Sequence, residues 1–164
     1  MFNGDPLVYE VLDKLDIAYG YFAHPPAPTI EEAGKYWKDI DATHCKNLFF
    51  RNHKGNLHYL VILEHSRDLA IRDLEQHLKQ GKLSFASGER MQRYLGLSPG
   101  SVSPFGLIHD TGRHVHLFID KNLKKSEKLS FHPCLNTASL VVSFAGFEKF
   151  LIFTGNTFDY IELY

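Results

Sequence analysis

The chain has 164 residues, 44% of them apolar and 23% charged, and its formal net charge is −1. This composition is ordinary for a globular protein, and the near-neutral charge argues against a protein that coats DNA or RNA, because such proteins are normally strongly basic. No apolar run approaches the roughly 20 residues that span a bilayer, so we expect no membrane partner.

Cysteine usage and the amino-terminal sequence predict a cytoplasmic protein. Cys45 and Cys134 are too few for a disulfide framework and do not form a CxxC pair. The first stretch, MFNGDPLVYEVLDKLD, mixes acidic residues into its apolar positions, unlike a secretory signal. The sequence contains no internal repeat and no long linker, so we expect residues 1–164 to form one domain.

The first elements carry helix-capping signals. Asp5 and Pro6 have the residue types of an N-cap and a first helical position, and Thr29 with Glu32 forms a capping box. An aromatic-rich stretch lies between them and is ended by two prolines. These signals predict a helix over residues 6–15, a strand over 18–24 and a helix over 30–37.

The middle of the chain predicts a hairpin and two helices. Gly55 marks the turn of the hairpin, Gly81 the end of the first helix and Ser87 the N-cap of the second. The predicted elements are strands over residues 45–52 and 57–64, a helix over 67–80, a short strand over 82–87 and a helix over 88–96.

The last third predicts mainly strands. A loop over residues 98–108 feeds a short helix, strands follow over 114–120, 128–133, 138–144 and 158–163, and a helix precedes the last strand over 146–155. Strands and helices interleave with hairpins among them, so we predict an α/β (α+β) fold in which helices pack against a mixed sheet.

Three stretches place polar residues against an apolar run. In the first, Lys46 and Asn47 stand directly before Leu48. The lysine amine can hold a phosphate, and the asparagine amide can both donate and accept hydrogen bonds. The alternative is a solvated pair at the start of a strand, as most such pairs are.

The second stretch is a loop before a short helix. Small residues stand between Gly100 and Pro104, so backbone groups there can approach a ligand closely. The alternative is an ordinary Pro-Gly turn. The candidate binding residues of this loop are Gly100, Ser101, Val102, Ser103 and Pro104.

The third stretch places His132 before Pro133, with Asn136 at the entrance of the next strand. The histidine is either a functional group or a hydrogen-bonded packing residue.

Other chemistries have weaker support. His114 and His116 are two apart on a predicted strand and are expected to share a face, but a third metal ligand is not evident, so we expect neither a metal nor another cofactor. The two cysteines are more easily explained as buried thiols than as nucleophiles. The basic run over residues 121–128 is either a solvated loop or a contact with an RNA backbone.

The three polar stretches, in this order, resemble those of the freestanding prolyl-tRNA editing proteins. These are trans-acting relatives of the editing domain in bacterial prolyl-tRNA synthetases, within the YbaK-like deacylase superfamily. The resemblance runs from the first predicted helix to the last strand. It implies one editing domain with a mixed, mostly antiparallel sheet.

The resemblance also implies an activity: hydrolysis of the ester that joins a wrong amino acid, usually alanine, to the 3′ end of tRNA(Pro). The family's lysine and asparagine fall on Lys46 and Asn47, its GxxxP loop on residues 100–104, and its HPxxN segment on His132 to Asn136. Lys46, Asn47 and His132 are then the catalytic residues, with the substrate's own ribose hydroxyl helping to activate water. The loop and Asn136 bind the substrate.

Two alternatives stay open at this point. The chain can clear another mischarged tRNA, such as one carrying serine or cysteine, or it can be a non-catalytic module that recognises an amino acid or a tRNA end. The expected partner is the acceptor end of tRNA(Pro), and the sequence leaves open whether prolyl-tRNA synthetase is a second partner. The near-neutral charge predicts a shallow salt dependence of tRNA binding, with fewer than about eight phosphate contacts.

Overall fold

The computed structural model describes residues 2–26 and 29–164. Its helices are α1 (Pro6–Lys14), α2 (Ile30–Trp37), α3 (Ile71–Leu78), α4 (Gly88–Leu95) and α5 (Phe144–Thr154), with 3₁₀ helices at Pro104–His109 and Lys121–Lys125. Its strands are β1 (Tyr19–Ala23), β2 (Thr43–Arg51), β3 (His58–Glu64), β4 (Ser84–Phe85), β5 (His116–Asp120), β6 (Lys128–Phe131), β7 (Ala138–Ser143) and β8 (Phe158–Ile161). Within the described ranges, no helix is long and apolar enough to cross a membrane.

The strands form one mixed sheet in the order β1-β7-β6-β2-β3-β5-β8, with β4 added to β2. Antiparallel pairings join β1 to β7, β6 to β7, β2 to β3 and β2 to β4. Parallel pairings join β2 to β6, β3 to β5 and β5 to β8. The predicted class, a mixed and mostly antiparallel sheet with flanking helices, is confirmed.

Alternate residues of β2 face two hydrophobic clusters on opposite sides of the sheet. Cys45 and Phe49 belong to the larger cluster, called the main core here, which α1, α4 and α5 cover. Phe50 and the half-buried Leu48 belong to the smaller cluster, the second core, which α3 covers. The hairpin is therefore buried on both faces, as its nearly continuous apolar sequence indicates.

The predicted caps form as expected. The Asp5 carboxylate accepts a hydrogen bond from the backbone N–H of Leu7 at 3.0 Å, the Thr29 hydroxyl from that of Glu32 at 3.2 Å, and the Ser87 hydroxyl from that of Arg90 at 3.2 Å. Each bond satisfies one of the orphan donors at a helix start, so short polar sequence signals fix these boundaries.

The helix predicted over residues 67–80 is shorter at both ends. It begins at Ile71, because the N–H of Ala70 donates to the carbonyl of Leu163 at 2.7 Å and holds the preceding residues in a turn. It ends at Leu78, because Lys79 adopts a left-handed conformation with φ 54°, two residues before the glycine expected to end the helix. The strand predicted from residue 114 begins at His116, and the helix predicted from residue 146 begins at Phe144.

Candidate functional site

The first and third polar stretches meet where β2 and β6 separate. These parallel strands pair only at Thr43 with Leu129 and at His44 with Ser130. Beyond this point β2 continues toward Lys46 and Asn47 while β6 ends one residue before His132. Adjacent strands lie about 4.8 Å apart, so an opening begins between the two stretches here.

The second stretch reaches the same opening through a series of contacts. The N–H of Ala86 donates to the Phe49 carbonyl at 2.9 Å, which fixes the start of α4 beside β2. Phe105, directly after the Gly100–Pro104 loop, packs edge-on against Phe131 with ring centroids 5.8 Å apart. Phe131 immediately precedes His132, so the structure brings all three stretches together.

Asn47 carries a buried polar atom that has no partner. Its Oδ1 is inaccessible to solvent and forms no hydrogen bond within the described residues. Strand alternation places the side chain on the main-core face of β2, which Phe49 and Cys45 share. An unpaired buried acceptor costs about 1–3 kcal/mol, so its retention points to a ligand that supplies the missing donor.

Lys46 lies on the opposite face of β2 from Asn47. Its register partner on β3 is Leu63, a residue of the second core. The lysine side chain is only 13% exposed, and its Nζ lies 3.9 Å from an Asp68 carboxylate oxygen in full contact with solvent. The two adjacent candidates therefore approach the opening from different sides of the strand, and Lys46 has an exposed counter-ion that solvent screens.

The Gly100–Pro104 loop offers mainly backbone groups. Gly100 has φ +88°, a conformation that favours glycine. The hydroxyl of Ser103 accepts a hydrogen bond from the N–H of Phe105 at 3.2 Å and caps the 3₁₀ helix that Pro104 begins. Ser101 and Ser103 are buried, and Val102 packs against the main core. The Ser103 hydroxyl is already engaged by the N–H of Phe105, so the loop offers a ligand mainly its backbone groups.

His132 is held as one neutral tautomer. Its Nδ1 donates to the carbonyl of Ala138 at 2.9 Å, because a carbonyl can only accept. Burial lowers the pKa of the imidazole, the Ala138 carbonyl partly offsets this, and the charge of His24 lowers the pKa further. The neutral ring then presents Nε2 as a hydrogen-bond acceptor, and no described residue bonds to that atom.

The rest of the HPxxN segment is tightly turned. Cys134 has φ 64°, unusual for a residue other than glycine, and Asn136 is half-buried. Thr137, next to Asn136, has a buried hydroxyl without a hydrogen-bond partner among the described residues. Of the six buried polar side-chain atoms without a partner among the described residues, this one lies on the segment that carries His132.

Neither cysteine has the character of a nucleophile. Burial raises the pKa of both thiols, and nearby carboxylates, Glu64 and Asp120 for Cys45 and Asp5 for Cys134, raise them further. Both thiols therefore stay protonated at neutral pH. Cys45 is buried as predicted, whereas Cys134 is only half-buried.

His24 lies beside the site, although no sequence pattern indicates it. Its ring centroid is 6.1 Å from that of His132, and its Nε2 lies 3.2 Å from the Ser139 hydroxyl. The ring also stacks on Tyr36 of α2 at 5.3 Å with an interplanar angle of 9°. His24 and His132 meet only because β1 and β6 both pair with β7, a long-range arrangement that residue spacing does not encode.

The two histidines expected to share a face are separated. His114 lies before β5, and its Nε2 is 2.8 Å from Nδ1 of His58. His116 begins β5, and its Nε2 is 3.0 Å from an Asp159 carboxylate oxygen. Among residues 2–26 and 29–164, no group of three or more His, Cys, Asp or Glu side chains is arranged to hold a metal ion.

The amino-terminal segment supports the HPxxN segment from outside. The N–H of Asp5 donates to the Pro133 carbonyl at 3.0 Å. Gly4 has φ +111°, and a Cβ on it would overlap the Pro133 carbonyl oxygen and lie 2.9 Å from the Pro133 Cβ. Only glycine allows this close approach, so residues 4 and 5 hold Pro133, and thereby the chain after His132, in place.

We expect Gly4→Ala to lower the free energy of unfolding by about 1–3 kcal/mol, because alanine is strained at positive φ and displaces Pro133. Urea unfolding followed by circular dichroism measures the change. Gly112→Ala is the matched control, since a Cβ there meets no atom within 4 Å. Equal stabilities for both variants would contradict the proposed contact.

Comparison with known proteins gives the same family in two ways. The model of the aminoacyl-tRNA editing domain matches residues 24–150. The prolyl-tRNA editing protein ProX of Acetoanaerobium sticklandii is 42% identical over 154 residues, which cover 93% of each chain. Prolyl-tRNA synthetase associated domain-containing protein 1 of Xenopus laevis is 32% identical over 149 residues, which cover 88% of each chain.

A solved structure has the same fold. The crystal structure of hypothetical protein APE2540 superposes with a TM-score of 0.71 over 92% of this chain and 95% of that chain, at 19% sequence identity. The shared fold at this low identity indicates that the architecture tolerates extensive change of side chains.

Proposed function

Since this chain belongs to the aminoacyl-tRNA editing domain family, we propose that it is a freestanding deacylase that hydrolyses mischarged alanyl-tRNA(Pro). Water adds to the carbonyl carbon of the ester, the bond to the 3′ oxygen of the terminal ribose breaks, and alanine and tRNA with a free 3′ hydroxyl leave. The whole chain, residues 1–164, acts as one editing domain in this proposal.

The observation that carries the proposal is a set of uncharged polar groups around the opening between β2 and β6. Asn47 has an unpartnered acceptor, and His132 is neutral with Nε2 available. An aminoacyl ester is already reactive, so orientation of water and stabilisation of the developing oxyanion are sufficient for hydrolysis. The protonated cysteines support a mechanism without a protein nucleophile.

Each site residue has a proposed role that follows from its atoms. Asn47 binds the amino group of the substrate through Oδ1 and the sugar or the carbonyl through its amide N–H groups. His132 orients the aminoacyl group and the 2′ hydroxyl through Nε2, and the ribose hydroxyl assists the attacking water. Lys46 reaches the terminal phosphate from the other face of β2, where it exchanges Asp68 for a more highly charged partner.

The loop and the HPxxN segment complete the pocket. Backbone groups at residues 100–104 bind the substrate's amino group and carbonyl, because the serine side chains there are buried or already bonded. Asn136, with its neighbour Thr137, binds the aminoacyl side through amide and hydroxyl groups. The first partner is therefore the acceptor end of tRNA(Pro), and prolyl-tRNA synthetase, which supplies the mischarged tRNA, is the second.

Selectivity follows from the limits of a synthetase site. A pocket built for proline rejects the smaller alanine only weakly, because each missing methylene is worth about 1–3 kcal/mol. A second pocket that admits alanine and excludes the proline ring supplies the missing discrimination. A pocket of this kind can also admit serine or cysteine, so deacylation of tRNA charged with either is the second candidate activity.

The test is the rate of deacylation of alanyl-tRNA(Pro), prolyl-tRNA(Pro), seryl-tRNA and cysteinyl-tRNA at catalytic protein concentration, with chelator present. We expect rapid loss of alanine while proline is spared, and a strong loss of rate in His132→Ala. If only the serine or cysteine ester is hydrolysed, the proposed reaction stands and the proposed substrate is replaced. Binding of tRNA without turnover of any ester would contradict the proposal that the protein is an enzyme and would favour a regulatory module.

A further inference from the structure

Exposed cations gather at the turn end of the β2–β3 hairpin. Lys54 lies in the turn itself, and Lys79 and Lys82 lie on the segment between α3 and β4. The two segments are joined because the N–H of His53 donates to the Gln80 carbonyl at 3.3 Å. Lys54, Lys79, Lys82 and the exposed Arg93 of α4 are called the hairpin patch here.

The hairpin patch has no carboxylate partners in the part of the chain that the structure describes. None of the salt bridges found there involves its four cations. Two acids lie nearby in sequence, but Glu75 accepts a hydrogen bond from the N–H of Leu83 at 2.6 Å, and Glu89 forms no ion pair. The chain as a whole has a formal charge of −1, so the hairpin patch is a local feature and not part of a generally basic surface.

Two further arginines, Arg90 and Arg51, lie beside the hairpin turn and add to its positive charge. Arg90 donates through Nη1 to the Gly55 carbonyl at 2.8 Å and to Nε2 of His58 at 2.9 Å. Arg51 lies beside the same turn, 3.3 Å from the position of a Cβ on Gly55. Arg90, Arg51 and Arg93 all help to lower the pKa of His58, which indicates that the three charges lie near its ring.

An exposed aromatic ring lies on β4, three residues after Lys82. Phe85 of β4 is 66% exposed, and its inner face stacks on Phe50 with ring centroids 4.7 Å apart and an interplanar angle of 26°. The outer face is open to solvent, and the buried Phe50 holds the ring in one orientation. An exposed ring with unpaired cations on the neighbouring segments is typical of surfaces that bind nucleic acid, because bases stack on the ring while phosphates contact the cations.

The patch lies next to the candidate site along α4. Ala86, one residue after Phe85, bonds to Phe49 of β2, and the start of α4 at Gly88 lies against Pro99, directly before the Gly100 loop. An RNA whose 3′ end enters the opening between β2 and β6 can therefore continue over the first turn of α4 to the hairpin.

We propose that the hairpin patch binds the phosphate backbone of the tRNA acceptor arm and that Phe85 stacks on an unpaired base near its end. The inference rests on the proposed function for its ligand, and it adds a second contact surface outside the catalytic opening. The basic run at residues 121–128 is a poorer candidate, because Lys121 pairs with Glu162 at 2.9 Å and the Lys124 amine lies over the Tyr160 ring at 4.3 Å. In the hairpin patch only Arg93 has such a contact, with the Tyr94 ring at 5.3 Å, and the three lysines have none among the described residues.

The first test compares two triple variants that remove the same charge. Lys54→Gln/Lys79→Gln/Lys82→Gln neutralises the hairpin patch, and Lys121→Gln/Lys124→Gln/Lys125→Gln neutralises the competing run. Binding of tRNA(Pro) that carries no amino acid is measured from about 0.05 to 0.2 M salt. We expect the hairpin variant to bind about tenfold or more weakly, with the salt slope reduced by about 3, and the control to match the wild type.

A second variant separates stacking from charge. Phe85→Ser is expected to weaken binding by about 5- to 100-fold while leaving the salt slope unchanged, because a ring does not displace counterions. Unchanged affinity and slope in the hairpin variant, or losses confined to the control, would overturn the proposal. Retained tRNA binding with lost capture of prolyl-tRNA synthetase would also overturn it and identify a protein-docking surface.

A short substrate distinguishes this inference from the proposed function. The hairpin variant is expected to hydrolyse a 3′-alanyl CCA trinucleotide at the wild-type rate, since that fragment does not reach the patch. An equal loss of hydrolysis rate on the fragment and on the full tRNA would show that the substitutions disturb the catalytic opening. It would overturn the proposal that the hairpin patch binds tRNA. If the wild type hydrolyses neither substrate, the proposed activity is wrong, and the tRNA-binding comparison still decides whether the hairpin patch binds tRNA.

Discussion

Asn47→Leu is expected to lower kcat/KM for alanyl-tRNA(Pro) by about 10²- to 10³-fold while raising the free energy of unfolding by about 1 kcal/mol. The activity falls because the variant loses a positioned polar group at the reacting ester, an effect of the size seen when one stabilising donor is removed. The stability rises because the Asn47 carbonyl oxygen is buried with no partner in the described structure, and leucine removes that unpaired group.

The opposite signs distinguish a functional residue from a structural one. Leucine has the same branching and the same number of side-chain heavy atoms as asparagine, and it faces the main core beside Cys45 and Phe49, so it leaves no cavity. A structural asparagine would behave differently, because its loss leaves its former partners unpaired. Urea unfolding and steady-state deacylation on the same preparation measure both quantities.

Asn52→Leu is the matched control on the same hairpin. The Asn52 side chain is 1% exposed, its Oδ1 accepts from the N–H of Gly55 at 2.9 Å and of Leu57 at 3.0 Å, and its Nδ2 donates to Asn56 at 2.8 Å. We expect its replacement to destabilise the protein by about 2–3 kcal/mol and to leave kcat/KM of the folded enzyme nearly unchanged. A loss of stability in Asn47→Leu comparable to that of the control would contradict a ligand-binding role for Asn47.

The local part of the fold could be predicted from the sequence. Caps at Asp5, Thr29 and Ser87 lie where short polar side chains precede a helical pattern, and the hairpin follows from two apolar runs around Gly55. These elements depend on interactions within a few residues, which a local pattern encodes. The sequence pattern predicts too early a start for α3, because the bond from Ala70 to Leu163 joins residues that are far apart in the chain.

The candidate site also has a part that the sequence predicts and a part that it does not. The three polar stretches could be chosen from the sequence because each stands against an apolar run. Their convergence could not, since it depends on β2 separating from β6 and on Phe105 packing against Phe131. Strand alternation already implies opposite faces for Lys46 and Asn47, but only the register with β3 shows which core each one faces.

Acidification is expected to destabilise the protein through His58, whose ring is buried with 1% exposure. Arg90 donates to Nε2 of His58, so the proton of the neutral ring is on Nδ1 and is directed toward Nε2 of His114. A second proton on His58 would place a donor against the guanidinium of Arg90. Burial first, and then the charges of His114 and the nearby arginines, lower the pKa of His58 from 6.5 to about 4.

The sign of the effect follows from proton uptake by the two states. Between pH 6.5 and 4 the unfolded chain binds a proton at His58 and the folded protein does not, so the stability is complete above the unfolded pKa and falls as the pH decreases toward the folded one. The shift is worth up to about 3 kcal/mol. Burial also lowers the pKa values of His44 and His132, which adds loss of the same sign.

Urea unfolding at pH 7, 5.5 and 4 measures this loss, and His58→Gln isolates the contribution of one ring. Glutamine can accept from Arg90 and donate to His114 but does not titrate, so the difference in unfolding free energy between pH 7 and 4 should shrink by about 3 kcal/mol at most. Carboxylates that titrate in this range contribute equally to both proteins and cancel in the comparison. His53→Gln, at an exposed position in the adjacent turn, should leave the difference unchanged. An equal acid loss in wild type and His58→Gln would mean that the buried imidazole does not resist protonation, and the donor arrangement between Arg90 and His114 would then be wrong.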